Sequence, residues 1–323
     1  MKPIRLNGII IFLFFASLAD AFVMQQERRL HRISSRINLF NGEISAFSVL
    51  EQPSTIYSRG IPRNVMLELE EGKSLPYDFE YLDCTIRVKQ LEKEEVTKAV
   101  GLCLKEYGSY PSSAYTPKKD TPLSNALQSK MDDFDNFLFS FVVLLGLGQR
   151  VERREKSDAE TSCPQDHNVI CLYEVDEHEN ETMFGMAEVS LQPADPSRTS
   201  PPFVLSSSIK NAFSSFGFWR EPTPYISNVL VTNDYRGKGY SRVLMACCEG
   251  LAKSWGYDEV YLHVDADSRS GAPAQGLYRS IGYMPVIDEH YNQNFAWMGV
   301  DMVNRGLYIV DGVALLFLKK ILK

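Results

Sequence analysis

Asn228-Val229-Leu230-Val231-Thr232-Asn233-Asp234-Tyr235-Arg236-Gly237-Lys238-Gly239-Tyr240-Ser241-Arg242-Val243-Leu244 is the stretch on which the reading of this chain turns. A short, β-branched apolar run ends in a turn with two glycines, and a helical pattern follows at once. Strand, glycine-rich loop and helix N-terminus, in that order, present main-chain N–H groups and a positive dipole end to phosphate oxygens. Gly-x-Gly alone is a common spacing. Here Arg236, Lys238 and Arg242 surround it with cations for the same anion.

The elements on either side extend the pattern. The strand is expected over Ile226–Val231 and the helix over Tyr240–Trp255, closed by Gly256. Glu259–Asp265 alternates as a further strand, with Tyr261, His263 and Asp265 on one face and Val260, Leu262 and Val264 on the other. Ala272–Ile281 reads as a short helix ending at Gly282-Tyr283, and Val313–Ile321 as a last apolar strand. Upstream, Tyr81–Val88 reads as the first strand of the body and Glu92–Tyr107 as a helix with acid in its first turn. Leu123–Met131 and Asp135 to about Arg154 carry helical periodicity, followed by a charged, exposed connector over 152–162. Phe137–Leu147 is strongly apolar but too short to span a bilayer, so it is expected as a buried helix. Val169–Val175 and Met183–Leu191 are expected strands joined by a solvated, acidic turn at 176–181. Residues 192–224, with six prolines and the aromatics Phe213, Phe216, Phe218 and Trp219, form a long loop that lines a substrate entrance or packs on the surface.

The N-terminus reads as an address. Lys2 and Arg5 precede an apolar run from Ile9 to Leu18 and then Ala19-Asp20-Ala21, the plan of a signal peptide. Arg28, Arg29, Arg32, Arg36, Ser34 and Ser35 follow in a segment poor in acid, the composition of a transit peptide. The two together resemble the bipartite presequence of algae with secondary plastids, which implies a plastid location; plain secretion is the alternative. The expected division is a signal peptide at 1–21, an unstructured transit-like segment at 22–75 and one folded domain at 76–323.

Charge follows that division. Residues 1–64 hold eight Lys/Arg against four Asp/Glu, so the total of -7 leaves a net of -11 on the remaining 259 residues. An acidic body argues against nucleic acid as a partner and favours basic ligands. The six cysteines form no C-x-x-C pair and have no His at metal-ligand spacing, so they are expected as reduced core thiols, with no metal site. No Lys-Ser/Thr pair follows the glycines and no parallel βαβ series surrounds them, which argues against nucleotide hydrolysis and dinucleotide binding.

Strand, Arg-Gly-Lys-Gly-Tyr-Ser, helix, strand, and then Ala-x-x-Leu-Tyr-x-x-x-Gly-Tyr resemble the GNAT N-acetyltransferase superfamily, specifically over residues 225–286. The resemblance implies an α+β (α/β) fold: a central mixed, mostly antiparallel sheet, splayed at the cofactor site and flanked by helices. It implies acetyl-CoA as cosubstrate and no metal. Arg236, Gly239 and Ser241 fall on the R/Q-x-x-G-x-G/A signature, with serine departing from Gly/Ala at the last place. Main-chain N–H groups across Gly237, Lys238, Gly239, Tyr240, Ser241 and Arg242 would then wrap a pyrophosphate, and Val229, Leu230 and Val231 would bond the pantetheine arm. Tyr278 falls on the tyrosine that protonates the departing thiolate. The family's cofactor-contacting Asn is replaced by Gly271, and Ser268 or Ser270 is expected to substitute. His263 falls where some peptide acetyltransferases place a glutamate base, and an imidazole with an ordinary pKa of about 6.5 suits that task; Glu188 and a water chain are alternatives. The resemblance to plastid-type GNAT protein acetyltransferases implies direct transfer, in a ternary complex, to protein N-terminal α-amines, lysine ε-amines or both, with no membrane insertion of the mature chain. The alternatives are a small-molecule amine acetyltransferase and a non-catalytic CoA-binding module.

Overall fold

The computed structural model describes residues 60–108, 122–159, 166–193, 196, 199, 222–267, 270–286, 306–310 and 313–322. The chain runs α1 (Arg63–Glu70), β1 (Tyr77–Tyr81), β2 (Cys84–Gln90), α2 (Val96–Cys103), α3 (Pro122–Ala159), β3 (His167–Val175), β4 (Glu181–Pro193), β5 (Pro222–Val231), α4 (Tyr240–Ser254), β6 (Glu259–Asp265), α5 (Ala272–Ser280), β7 (Met284–Pro285), β8 (Leu307–Val310) and β9 (Val313–Ile321). The nine strands form one sheet in the order β1-β2-β3-β4-β5-β6-β9-β7, with β8 also on β9. Every pairing is antiparallel except β5 with β6. This is the expected mixed, mostly antiparallel sheet.

Alternating side chains sort the core onto two faces. On one face, Val243, Leu244, Ala246, Cys247 and Ala252 of α4 pack against Ile170, Leu172, Ala187, Val189, Ile226, Val260 and Leu262. On the other, Val96, Ala99 and Val100 of α2 and Leu147 and Val151 of α3 cover Val169, Cys171, Met186 and Leu230. A third, largely aromatic cluster, Tyr225, Tyr261, Tyr308, Val310 and Phe317, fills the sheet around β6, β8 and β9. The ladder from β6 to β9 is regular from Glu259↔Ile321 to Asp265↔Leu315. Glu249, buried on α4, is bonded by Lys320 of β9 and by the Tyr283 hydroxyl, which ties helix to sheet.

Several expectations change. Tyr81–Val88 is not one strand: β1 and β2 meet at Leu82-Asp83, both in the left-handed region at φ 53° and 61°. That is a two-residue hairpin turn, hidden in sequence because such turns usually carry Asn-Gly or Asp-Gly. The two helices expected between 123 and 154 are one, because nothing between Met131 and Asp135 breaks it. Part of the expected connector belongs to this helix, where Arg153 pairs with Asp166 and Arg154 donates to the Leu91 carbonyl. The apolar run within α3 is amphipathic rather than buried all round: Val142 and Leu147 are buried while Phe137 is 66% exposed. No helix among the described residues is long and apolar enough to cross a membrane.

The expectation that residues 22–75 lack structure fails at its C-terminal end. Ile61, Val65 and Leu69, four residues apart, form one buried stripe on and just before α1. That stripe seats α1 on α4 at Gly250, where an added Cβ would lie 2.0 Å from the Leu69 carbonyl oxygen and 2.9 Å from the Gly72 nitrogen. Backbone meets backbone there. The leader segment 1–59 lies outside the described residues, as does nearly all of the long loop, 194–221. Gly250→Ala is expected to cost about 1–3 kcal/mol by overpacking, and Leu69→Ala about 2–5 kcal/mol. Thermal melting checks both, and unchanged melting temperatures would mean that α1 is a dispensable part of the leader.

Candidate active site

The site is built where β5 leaves β6. These two strands share a single paired position, Tyr225↔Tyr261. Beyond it β5 diverges, so the β6-facing edge of Ile226–Val231 pairs with no strand among the described residues. Such an edge offers a row of N–H and C=O groups to an extended ligand. On its other side β5 carries a bulge. Met186 faces Leu230 and Glu188 faces Ser227, so Ala187 alone stands opposite Asn228 and Val229. Asn228 takes up the extra residue in the left-handed region, at φ 52°.

Just past β5, the glycine-rich loop has the geometry of an anion cradle. A 3-10 turn at Asn233–Tyr235 leads to Gly237 at φ 75° and to Gly239 at φ 92°, the N-cap of α4. No side chain caps this helix; the Arg242 N–H turns back to the Gly239 carbonyl at 2.9 Å, and the N–H groups ahead of it are donors that a phosphate can accept. A pyrophosphate therefore fits the residues present. The side chains around it have settled partners. Arg236 Nε donates to the Val231 carbonyl at 2.9 Å and its Nη2 to Glu106 at 2.6 Å, so this arginine braces the loop against the strand end and the turn after α2. Lys238 lies over the Tyr235 ring at 5.1 Å, and its carbonyl accepts from the Tyr81 hydroxyl. Tyr240 points into the core against Tyr81 and Phe184, which leaves only its N–H for the cradle. Arg242 donates to Ser280 at 2.8 Å, joining the first turn of α4 to the end of α5.

Of the strand residues expected to meet a pantetheine arm, Val229 and Val231 pack toward α4 and Leu230 toward α3. Ser268 lies outside the described residues. Gly271 now has a reason: an added Cβ would sit 2.1 Å from the Asp265 carbonyl oxygen and 2.7 Å from that of Asp267, so no asparagine fits there. The amide of Gln275, one turn on, donates to those same two carbonyls at 2.7 and 3.3 Å and fastens the loop to α5.

His263 and Tyr278 approach the split from different elements. The His263 ring stacks on Phe317 at 4.6 Å, and both its nitrogens are engaged. Nε2 lies 3.0 Å from the Pro196 carbonyl, which can only accept, so Nε2 carries the proton in the neutral ring. Nδ1 is then the acceptor for the Tyr225 hydroxyl at 2.9 Å. Burial raises the Tyr225 phenol above its ordinary value, with Tyr278 and Glu188 adding to the rise against the His263 bond. Tyr278, on α5, is buried beside Tyr283 with ring centres 5.7 Å apart. Sequence reasoning missed Tyr225: it lies one residue before the expected strand, and only the parallel pairing with Tyr261 brings its hydroxyl to His263. Glu188 is bonded on both sides, by Arg150 through one oxygen and by Asn228 Nδ2 at 2.9 Å through the other. Fully buried in this way, it is not placed to act as a base. Ser227 Oγ, on the next residue in the same strand, is buried with no hydrogen-bond partner. Among the described residues no His, Cys, Asp or Glu group has the arrangement of a metal site.

Residues 145–283, from within α3 through Tyr283, match the model of the acetyltransferase (GNAT) family. Over these residues the chain is similar to that family. The splayed sheet with its uncapped α4 is the GNAT fold, that of acetyl-CoA-dependent N-acetyltransferases. No curated protein matches the chain. Similar solved structures include the PaiA N-acetyltransferase of Thermoplasma acidophilum in complex with coenzyme A, at 10% identity, covering 73% of this chain and 98% of that one with a TM-score of 0.38. A ribosomal-protein-alanine N-acetyltransferase from Brucella melitensis has 14% identity, with 73% and 99% covered and a TM-score of 0.34. A putative GNAT-family acetyltransferase from Bordetella pertussis has 14% identity, with 76% and 99% covered and a TM-score of 0.38. At these scores none of them bears on the acceptor.

Gly239→Ala places a β-carbon at φ 92°, a strain of about 1–2 kcal/mol, and disturbs the cradle as well. The expected result is a CoA dissociation constant raised about tenfold or more by titration calorimetry. Unchanged affinity would remove the loop from the cofactor site.

Proposed function

We propose that the chain acetylates protein amines, N-terminal α-amines, lysine ε-amines or both, by direct attack within a ternary complex. The observation that carries this reading is the hydrogen-bonded Tyr225–His263 couple at the single paired position of the β5/β6 split. A protein amine arrives as an ammonium ion and must lose a proton before it can attack. In the proposed reading the Tyr225 oxygen takes that proton as it passes its own to His263 Nδ1. The imidazolium so formed is held by the Pro196 carbonyl on Nε2. The neutral amine then bonds the thioester carbonyl carbon, whose oxygen gains charge facing the main-chain N–H groups at the Val229 bulge. The C–S bond breaks, the sulfur leaves with the proton of Tyr278, and the phenolate recovers a proton from nitrogen as the amide forms. The net of -11 on residues 65–323 suits a cationic acceptor. The elevated phenol of Tyr225 stays protonated at neutral pH and serves as a relay rather than as a standing anion.

The cofactor contacts belong to the same proposal: main-chain donors from Gly237 to Ser241 for pyrophosphate and the strand edge along Val229, Leu230 and Val231 for pantetheine. We also propose that the segment before residue 60 directs the protein to a plastid, on the support of its basic, apolar and Arg/Ser-rich runs.

General acid–base groups contribute about 10²–10⁴ in rate. Tyr278→Phe and Tyr225→Phe are each expected to lower kcat about 10²-fold or more with the acetyl-CoA KM little changed, measured as CoA release with peptide amines. A variant with wild-type kcat removes that tyrosine from the mechanism. Acetylome mass spectrometry of bacteria expressing the protein is expected to show new acetylated N-termini or lysines. Turnover confined to small amines would overturn the protein-substrate reading.

A further inference from the structure

The bulge on β5 reverses the sidedness of the strand. Ile226 packs in the cluster beneath α4. In an unbroken strand residues 228 and 230 would follow it to that face, with 229 and 231 on the other. Instead Val229 and Val231 pack toward α4 and Leu230 packs toward α3. The main chain at Val229–Val231 is therefore shifted by one residue relative to Tyr225, and the shift takes place at Asn228.

Asparagine enters the left-handed region more readily than other residues with a β-carbon, and at φ 52° Asn228 has a side chain that can be tied in place. Its amide donates at 2.9 Å to Glu188, the β4 residue paired with the preceding Ser227. Glu188 is 0% exposed, and an unpaired carboxylate is not tolerated at such a place. Arg150 of α3, 5% exposed, supplies the balancing charge through the other oxygen. The three groups form a chain from helix α3, through β4, to the irregular residue of β5. None of them is an acid or base in the proposed transfer.

We propose that Arg150, Glu188 and Asn228 act as a positioning clamp that sets the register of the β5 bulge, and with it the direction of the main-chain N–H groups that face the thioester oxygen. The clamp rests on the acetyl-transfer reading above. Its residues act through the strand; they touch neither acetyl group nor amine. A misplacement of about 1 Å in such a site costs about 10²-fold in rate, whereas phosphates held at α4, beyond the clamp, do not sense it. The clamp therefore separates kcat from cofactor affinity.

The test uses the soluble chain with the α1 segment kept, acetyl-CoA and a peptide amine. Asn228→Gly keeps the left-handed backbone free but removes the amide donor. It is expected to lower kcat about 10- to 100-fold with the CoA dissociation constant within about twofold of wild type. Glu188→Gln, which keeps the shape and loses the charge facing Arg150, is the second variant, with the same split expected if it folds. Hydrogen exchange over 226–231 is expected to quicken in Asn228→Gly while that of α4 stays slow. A wild-type kcat in Asn228→Gly overturns the clamp. So does a loss of kcat matched by an equal loss of CoA affinity, since that is the behaviour of a merely structural residue. A wild-type chain that binds CoA but transfers acetyl to no amine overturns the transfer reading itself, and the clamp with it.

Discussion

The parting of β5 from β6 is the constraint on which the rest of the arrangement depends. Parallel neighbours with one shared position leave main-chain donors and acceptors unpaired by any strand among the described residues, and a folded sheet accepts this only where something else can use them. Antiparallel pairing on both sides makes the split possible. β4 holds β5 along most of its length, and β9 holds β6 residue by residue. The two halves are each secured without the seam between them. At one end of the seam Tyr225 and His263 close it with a hydrogen bond; at the other, the glycine-rich loop turns the chain into α4.

Two kinds of groups surround this seam, and they differ in cost. The cradle at α4 is made of main chain, whose donors need no desolvated charge and no ordered side chain. The loop's side chains are mostly occupied in holding it: Arg236 to Val231 and Glu106, Lys238 over Tyr235, Arg242 to Ser280. Below the sheet the balance is reversed. Glu188 and Arg150 lie in the interior, where charge is expensive and is retained only when paired and fully bonded. Spending a buried ion pair beside a backbone irregularity is consistent with a need to hold that irregularity in one place.

Much of this was legible in the sequence because it is local. Gly237 and Gly239 before an amphipathic run identify a left-handed turn into a helix whatever surrounds them. The alternation of Glu259–Asp265 and the apolar run of Val313–Ile321 gave their strands to the residue. What escaped is what local pattern cannot encode. Leu82-Asp83 turns a hairpin without the usual turn residues. Ile61, Val65 and Leu69 read as the tail of a leader until they are seen buried in the core, with the backbone of Leu69 and Gly72 against Gly250. Tyr225 lies outside the strand boundary drawn from β-branched residues, because its proline-flanked position hides the start of β5.

The sequence by itself determined the chemistry available: a main-chain anion cradle, a tyrosine on the following helix, and an imidazole on the strand between. These rest on residue type and short spacing, which hold in any tertiary context. Only the tertiary structure decided which groups meet. His263 became the partner of Tyr225 through a parallel pairing between strands far apart in the chain, and Glu188 passed from candidate base to partner of Arg150 and Asn228. Gly271 passed from a missing contact to a steric necessity at the end of β6. Register across a sheet and charge pairing across a core depend on the sum of distant contacts, and no window of sequence contains them.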